Sequence, residues 1–289
     1  ADGLDARVRT TVLVAGVEGF NPQGMCLDNY GNVVVADFKV VRLVRLVDGD
    51  VRIFVRGFDT ARDVCGDVDG NIIVADQNYL RKIWVHELCV STLARVVGTC
   101  LNGVCLDSDG NIIAADDHYV VHRVSALDKS CRILAGYEPQ DDEQYDWDTL
   151  DGPGAEAHFR SPNAVCLDGR GNLLVADEGF CEVRRVRLHD AFVTTLVSQD
   201  GCEATAVCVA PSGDVFIADD SHLWRLHPGT EDGTLTKVVT WDGWKPHRLC
   251  PLPDGRILVS GRRRPGHPNQ HQMIIVHADD TATLTKAAR

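Results

Sequence analysis

A seventeen-residue stretch at 161–177, SPNAVCLDGRGNLLVAD, is repeated in variant form along the whole chain, and no other feature limits the fold as tightly. Copies lie at 21–37, 60–76, 101–116, 161–177, 204–219 and 246–261. Each holds two short apolar runs around a Gly-bearing turn, the pattern of a β-hairpin. The cysteine at the centre of the first run recurs at steps of 39, 40, 61, 42 and 42 residues. The residue closing the second run, Asp37, Asp76, Asp116, Asp177, Asp219 and Gly261, steps identically. One insertion in the third interval, the acidic stretch 137–150 with Tyr145 and Trp147, accounts for the long step and reads as a solvated loop or a docking loop.

Two further β-like runs follow each hairpin, at 40–46 and 51–55 in the first copy and at 183–188 and 192–197 in the fourth. A unit this short cannot bury its own apolar faces and must stack on its neighbours. Four short strands per unit and six units predict an all-β fold: one six-bladed β-propeller over 1–289, with four-stranded antiparallel blades. The run at 10–16 is the expected fourth strand of the last blade, closing the ring from the N-terminal side, with 281–285 as its rival.

The hairpin followed by 177–186, DEGFCEVRRV, resembles the NHL repeat, and so does the lead-in 151–162, DGPGAEAHFRSP. The resemblance runs over nearly the whole chain. It implies a six-bladed propeller whose relatives often serve as substrate or partner adaptors within longer chains, some of them binding RNA. Where the family commonly shows Asn and Arg after the strand-ending Asp, the fourth copy has Phe180 and Glu182, so the loops that carry function depart from the pattern.

Charge and cysteines narrow the setting. There are 29 Lys plus Arg against 42 Asp plus Glu, a formal net charge of −13, which makes nucleic acid an unfavoured partner. No run is long enough for a membrane span, and the start lacks an apolar signal segment. A first residue of Ala suggests a piece of something longer. The chain is expected to be a monomer or part of a multidomain protein. Of the 11 cysteines, Cys26, Cys65, Cys105, Cys166, Cys208 and Cys250 share one register and read as buried free thiols. Equivalent strands of stacked sheets lie roughly 10 Å apart, too far for a disulfide. Cys89, Cys100, Cys131, Cys181 and Cys202 remain, with a Cys181–Cys202 bridge as the minor alternative. The absence of C-x-x-C and of N-x-[ST] favours a reducing, intracellular compartment.

In a propeller the residue just before each first strand lies at one mouth of the central channel. Those residues are Gln23, Arg62, Asn102, Asn163, Thr205 and His247, with Asp63 and Arg248 one place further on. Together they form the candidate binding set. Asp37, Asp76, Asp116, Asp177 and Asp219 are spread around a ring and are expected to be structural, each capping the turn that follows it.

Propeller enzymes similar to the NHL fold include amidating lyases with a three-histidine zinc and lactonase-like enzymes with a divalent metal held by carboxylates and amides. Here His247 is the one histidine in the central set, His118 and His122 straddle a turn, and His267 and His271 share a loop. The sequence therefore leans towards a non-catalytic platform without a cofactor, recognising a protein or peptide at its channel mouth. Loop aromatics Phe20, Phe38, Phe58, Tyr79, Tyr119, Phe180, Trp241 and Trp244 are the expected anchors. The alternatives are a metal-dependent propeller enzyme, or RNA binding through Arg262, Arg263 and Arg264 with Lys245 and Arg248.

Overall fold

The apolar runs that close each hairpin are buried from end to end, at Ile72–Asp76, Ile112–Asp116 and Val215–Ala218, instead of alternating inside and outside. A strand covered on both faces has no solvent side to leave polar, so its sheet must stand between two others. The computed structural model describes residues 8–96, 100–137, 150–178, 182–198, 204–228, 235–263 and 271–278.

These residues form β1 (Thr10–Ala15), β2 (Gly24–Leu27), β3 (Val33–Val44), β4 (Val51–Gly66), β5 (Ile72–Asp76), β6 (Tyr79–Trp84), β7 (Cys89–Arg95) and β8 (Leu101–Leu106). Next come β9 (Ile112–Asp116), β10 (Val121–Val124), β11 (Cys131–Ala135), β12 (Pro162–Leu167), β13 (Asn172–Asp177), β14 (Glu182–Arg187) and β15 (Val193–Ser198). The chain continues with β16 (Ala206–Val209), β17 (Val215–Ala218), β18 (His222–Leu226), β19 (Thr236–Thr240), β20 (Trp244–Pro251), β21 (Ile257–Arg263) and β22 (His271–Val276).

Four antiparallel sheets have four strands each: β8–β11, β12–β15, β16–β19, and β20–β22 completed by β1. A fifth holds six, β2 to β7 in sequence order. The protein is an all-β propeller of five blades, which corrects the expected six: the first two copies share one wide blade. The cause is continuity of the chain. β3 runs on through Phe38, at φ 49°, and β4 passes from its pairing with β3 straight into its pairing with β5, with Ala61 facing a partner on both sides. The innermost strand of each copy, β2, the latter half of β4, β8, β12, β16 and β20, packs against the next around the axis, and β20 returns to β2. β1 pairs with β22 from Thr10↔Val276 to Ala15↔Gln272, so the last blade is closed by the first strand. The rival run at 281–285 lies outside the described residues.

The aligned aspartates hold backbone, but not in one way. Asp76 accepts N–H groups of Asp59 and Thr60 at 2.8 and 2.6 Å, within β4, Asp177 those of Arg160 and Ser161, and Asp37 that of Asn21, in the segments leading into β12 and β2. Asp116 and Asp219 cap the turn that follows. The expected cap on the following turn is thus corrected for Asp37 and Asp76, while residues 179–181 after Asp177 lie outside the described residues. Third-strand side chains complete the arrangement: Arg42 on Asp37, Arg81 on Asp76, His122 on Asp116 and Trp224 on Asp219.

Two other expectations change. Cys208 and Cys250 are buried, but Cys26, Cys65, Cys105 and Cys166 are half-buried because they border the open channel, and neighbouring inner strands approach to within 8 Å between Cα atoms. Phe20, Phe58, Trp241 and Trp244 pack into the core, while Phe38 is exposed, so four of the eight expected aromatic anchors serve the blades. Phe180, Cys181, Cys202 and nearly all of the 137–150 insertion fall outside the described residues.

Candidate functional site

At the mouth end of four inner strands the hydrogen-bonded ladder skips one residue. The register passes from Ala61 to Asp63, from Leu101 to Gly103, from Pro162 to Ala164 and from Pro246 to Arg248. The skipped residues are Arg62, Asn102, Asn163 and His247. A β-bulge leaves its extra residue out of the ladder and re-aims its side chain. Crowding at the axis depends on glycine. A Cβ at Gly103 would meet the Asn163 carbonyl oxygen at 2.6 Å, and one at Gly24 would meet the Asp63 Cα at 2.4 Å.

The four bulged residues converge with Gln23, Thr205 and Arg248 around a cavity of about 270 Å³, joined there by Phe38, Glu178, Lys245 and Arg262. Arg62 Nη1 donates to Asn102 Oδ1 at 2.5 Å, Arg248 Nη2 to Asn163 Oδ1 at 2.9 Å, and Asn163 Nδ2 to Glu178 Oε2 at 3.0 Å. Arg248 also donates to the His247 carbonyl at 3.0 Å. It reaches from β20 across the channel to the third and fourth copies, and it lines both the mouth cavity and a deeper channel cavity.

Seven of the eight sequence candidates therefore share the mouth. Asp63 does not: it lines the deeper cavity, where Oδ2 accepts the Val104 N–H at 2.9 Å and ties the second copy to the third. Burial pushes its carboxyl up to about 6, with Arg248 and two backbone N–H groups pulling the other way. Glu178 was missed by the strand-start rule; its position directly after Asp177, in a loop on the same face, was the available signal.

The mouth is cationic. Among the described residues, Arg62, Lys245, Arg248 and Arg262 line it against one carboxylate, Glu178, although Lys245 also pairs with Asp220. Burial first, then Arg248, Arg262, Lys245 and His271, push the His247 imidazole down to about 4. It is neutral at pH 7, and its Nε2 is screened from solvent without a hydrogen-bond partner among the described residues.

Metal templates fit poorly. Among the described residues no group of three or more His, Cys, Asp or Glu is placed to hold an ion. The Asn102 and Asn163 amide oxygens are already taken by Arg62 and Arg248, and four cations oppose a fifth. His122 lies elsewhere. Burial lowers its pKa, but a 2.5 Å bond to Asp116 and the Cys131 contact outweigh that and raise it to about 9, leaving a structural imidazolium. His267 and Arg264 are outside the described residues. No helix among the described residues is long and apolar enough to cross a membrane.

No protein-family model matches the chain, and no curated protein does either, so the NHL resemblance is one of repeat pattern. Solved structures do match. A regucalcin from Agrobacterium tumefaciens, described as a calcium-binding protein, superposes with a TM-score of 0.71 at 13% identity, covering 94% of each chain. A gluconolactonase from Xanthomonas campestris gives 0.69 at 15% identity, over 93% of this chain and 89% of the other. Virginiamycin B lyase from Staphylococcus aureus gives 0.61 at 11% identity, over 93% and 88%. At these identities the likeness establishes the β-propeller fold, with structural neighbours in the regucalcin, gluconolactonase and virginiamycin B lyase group.

Proposed function

We propose that the channel mouth is an active site for a small organic anion bearing an ester or lactone, with His247 as the proton acceptor. The observation that carries this reading is one neutral imidazole set among four cationic side chains in a cavity of about 270 Å³. Such a concave, small cavity favours a small molecule over a peptide segment. Its charge draws an anion despite the acidic remainder of the molecule.

The chemistry follows from the same charges. His247 accepts a proton from water or from a carbon beside the carbonyl. Negative charge then develops on the carbonyl oxygen and is met by the fixed guanidinium groups of Arg62 and Arg248, held beforehand by Asn102 and Asn163. Burial sets most of the depression of His247, and a bound anion offsets the part added by Arg248, Arg262 and Lys245, so the base strengthens when substrate is present. The donor set does not fit a divalent cation.

Structural neighbours named as lyases and as a gluconolactonase support an enzymatic reading, and a histidine-to-alanine variant of virginiamycin B lyase is described as catalytically inactive. The test is acid release at constant pH from glucono-δ-lactone and from a carboxylate-bearing sugar lactone. Turnover should favour the charged lactone, fall by about 10²- to 10⁴-fold in His247→Gln, and show a raised KM in Arg62→Gln. Equal turnover by His247→Gln overturns its role. Saturable binding of the hydroxy acid without turnover reduces the mouth to a binding site.

A further inference from the structure

The sixth copy breaks the repeat beside the mouth. In the second, third and fourth copies the ladder between first and second strands stops at Ala61↔Asp76, Leu101↔Asp116 and Pro162↔Asp177. In the sixth it passes the equivalent Pro246↔Gly261 and adds Lys245↔Arg262 and Trp244↔Arg263. Two cations thus stand directly opposite each other, a destabilising arrangement that an anion between them would relieve. Five copies end the second strand in aspartate; here Gly261 takes that place, and a Cβ on it would meet the Lys245 carbonyl oxygen at 2.4 Å and Trp244 Cζ2 at 2.6 Å. The extension therefore goes with the loss of a carboxylate.

The added pairs wall a second cavity of about 670 Å³, which joins the mouth through Lys245 and Arg262, residues that line both. Its unpaired buried groups are donors. Trp241 and Trp244, 4% and 5% exposed, keep their indole N–H groups screened from solvent without a partner among the described residues, and so does Arg263 at Nε. Lys245 is paired with Asp220, and the other lining carboxylate, Asp242, is exposed. Among the described residues neither Arg262 nor Arg263 has an ion-pair partner.

We propose that this side cavity holds a phosphate monoester, so that the substrate of the mouth is a phosphorylated lactone with its phosphate among Lys245, Arg262 and Arg263. The lactone half of this assignment rests on the active site proposed above, and the phosphate half on the side cavity alone. A phosphate dianion offers only acceptors, matches the arginine fork two bonds at a time, and is drawn by N–H dipoles left uncompensated in the wall. A carboxylate brings less charge and fewer acceptor oxygens, and a sugar hydroxyl brings a further donor to a wall whose unpaired groups are donors already. The mouth, about 270 Å³, takes the lactone ring beside His247, and the shared Lys245 and Arg262 mark where the substrate passes into the side cavity.

The experiment measures binding to the full chain by calorimetry, with gluconate, 6-phosphogluconate and inorganic phosphate as probes. 6-Phosphogluconate should bind about 10- to 100-fold more tightly than gluconate. Inorganic phosphate, filling the side cavity alone, should compete with 6-phosphogluconate and not with gluconate. In Arg263→Gln the ratio of the two hydroxy-acid affinities should fall towards one. Equal affinities in the parent, an unchanged ratio in the variant, or phosphate that displaces gluconate overturn the proposal. If the variant does not fold, phosphorus NMR of 6-phosphogluconate on the parent decides: a second phosphate ionisation moved to lower pH supports the site, and one that titrates as in free solution overturns it. Failure of the active-site reading looks different: the lactones then go unhydrolysed while the affinity ratio and the phosphate competition stand, which supports the phosphate site on its own.

Discussion

The two ends of the inner hairpins obey opposite rules. At the turn end, Asp28, Asp67, Asp107 and Asp168 each accept the backbone N–H groups two and four residues on. The glycine that follows adopts φ of 79, 82, 77 and 87° in turn, a conformation a side chain would strain. At the mouth end the corresponding residues are Gln23, Arg62, Asn102, Asn163, Thr205 and His247, and only Asn recurs. A turn satisfies its own backbone, so one solution can be copied. Mouth residues face one another across the axis and complete one another only by differing. Residues repeated between copies hold the turns, and residues that vary between copies line the mouth.

The sharpest break of that contrast is Gly103→Val, a repeat-scaffold change one residue from the mouth. With the Asn163 carbonyl 2.6 Å from the new Cβ, the loss should exceed about 5 kcal/mol or yield no folded protein; a urea midpoint near wild type would show that the inner strands can slide apart. Asp76→Ala comes next. It strips two backbone N–H groups and Arg81 of a buried acceptor, at an expected cost of about 3–5 kcal/mol, whereas Arg62→Gln and His247→Gln should each shift urea stability by under about 1 kcal/mol.

Titration separates the two regions by sign. His122, raised to about 9 in the scaffold, stabilises the fold fully below pH 6.5, and that contribution is lost as pH rises through 9. Its size is up to about 3 kcal/mol, and His122→Gln should flatten stability between those limits. His247, lowered to about 4 at the mouth, costs stability as pH falls from 6.5 towards 4, and it should set the acid limb of kcat/KM near 4. Neutralising Lys245 or Arg262 should move that limb upward; an unmoved limb would assign it to another group. The smallest effect among the scaffold changes belongs to Asp168→Ala at one turn, about 1 kcal/mol by urea unfolding, with activity unchanged.

Much of this was readable in the sequence, for definite reasons. Six in-phase hairpins leave few ways to bury their faces, so the propeller and the mouth positions of Arg62, Asn102, Asn163 and His247 followed from period alone. The merging of two copies did not follow, because it rests on the backbone of Phe38 and on β4 continuing through Ala61. Composition misled at the site: a net charge of −13 conceals a mouth where Arg62, Lys245, Arg248 and Arg262 gather. Arg248 sat in the candidate set, but its reach across the channel is a property of three dimensions. Trp241 and Trp244 looked like exposed loop anchors and instead are buried against each other, their centroids 5.0 Å apart and their planes tilted by 58°.

The pairing of β1 with β22 gives the molecule a history as well as a shape. β1 has no partner until β22, the last of the described strands, has been made. Through that interval its edge is open to any other extended segment, including the same strand of a neighbouring nascent chain. Completion of the ring is therefore a late, long-range step, and the exposed Val12 and the threonines beside it are the surface on which synthesis in crowded polysomes would first go wrong.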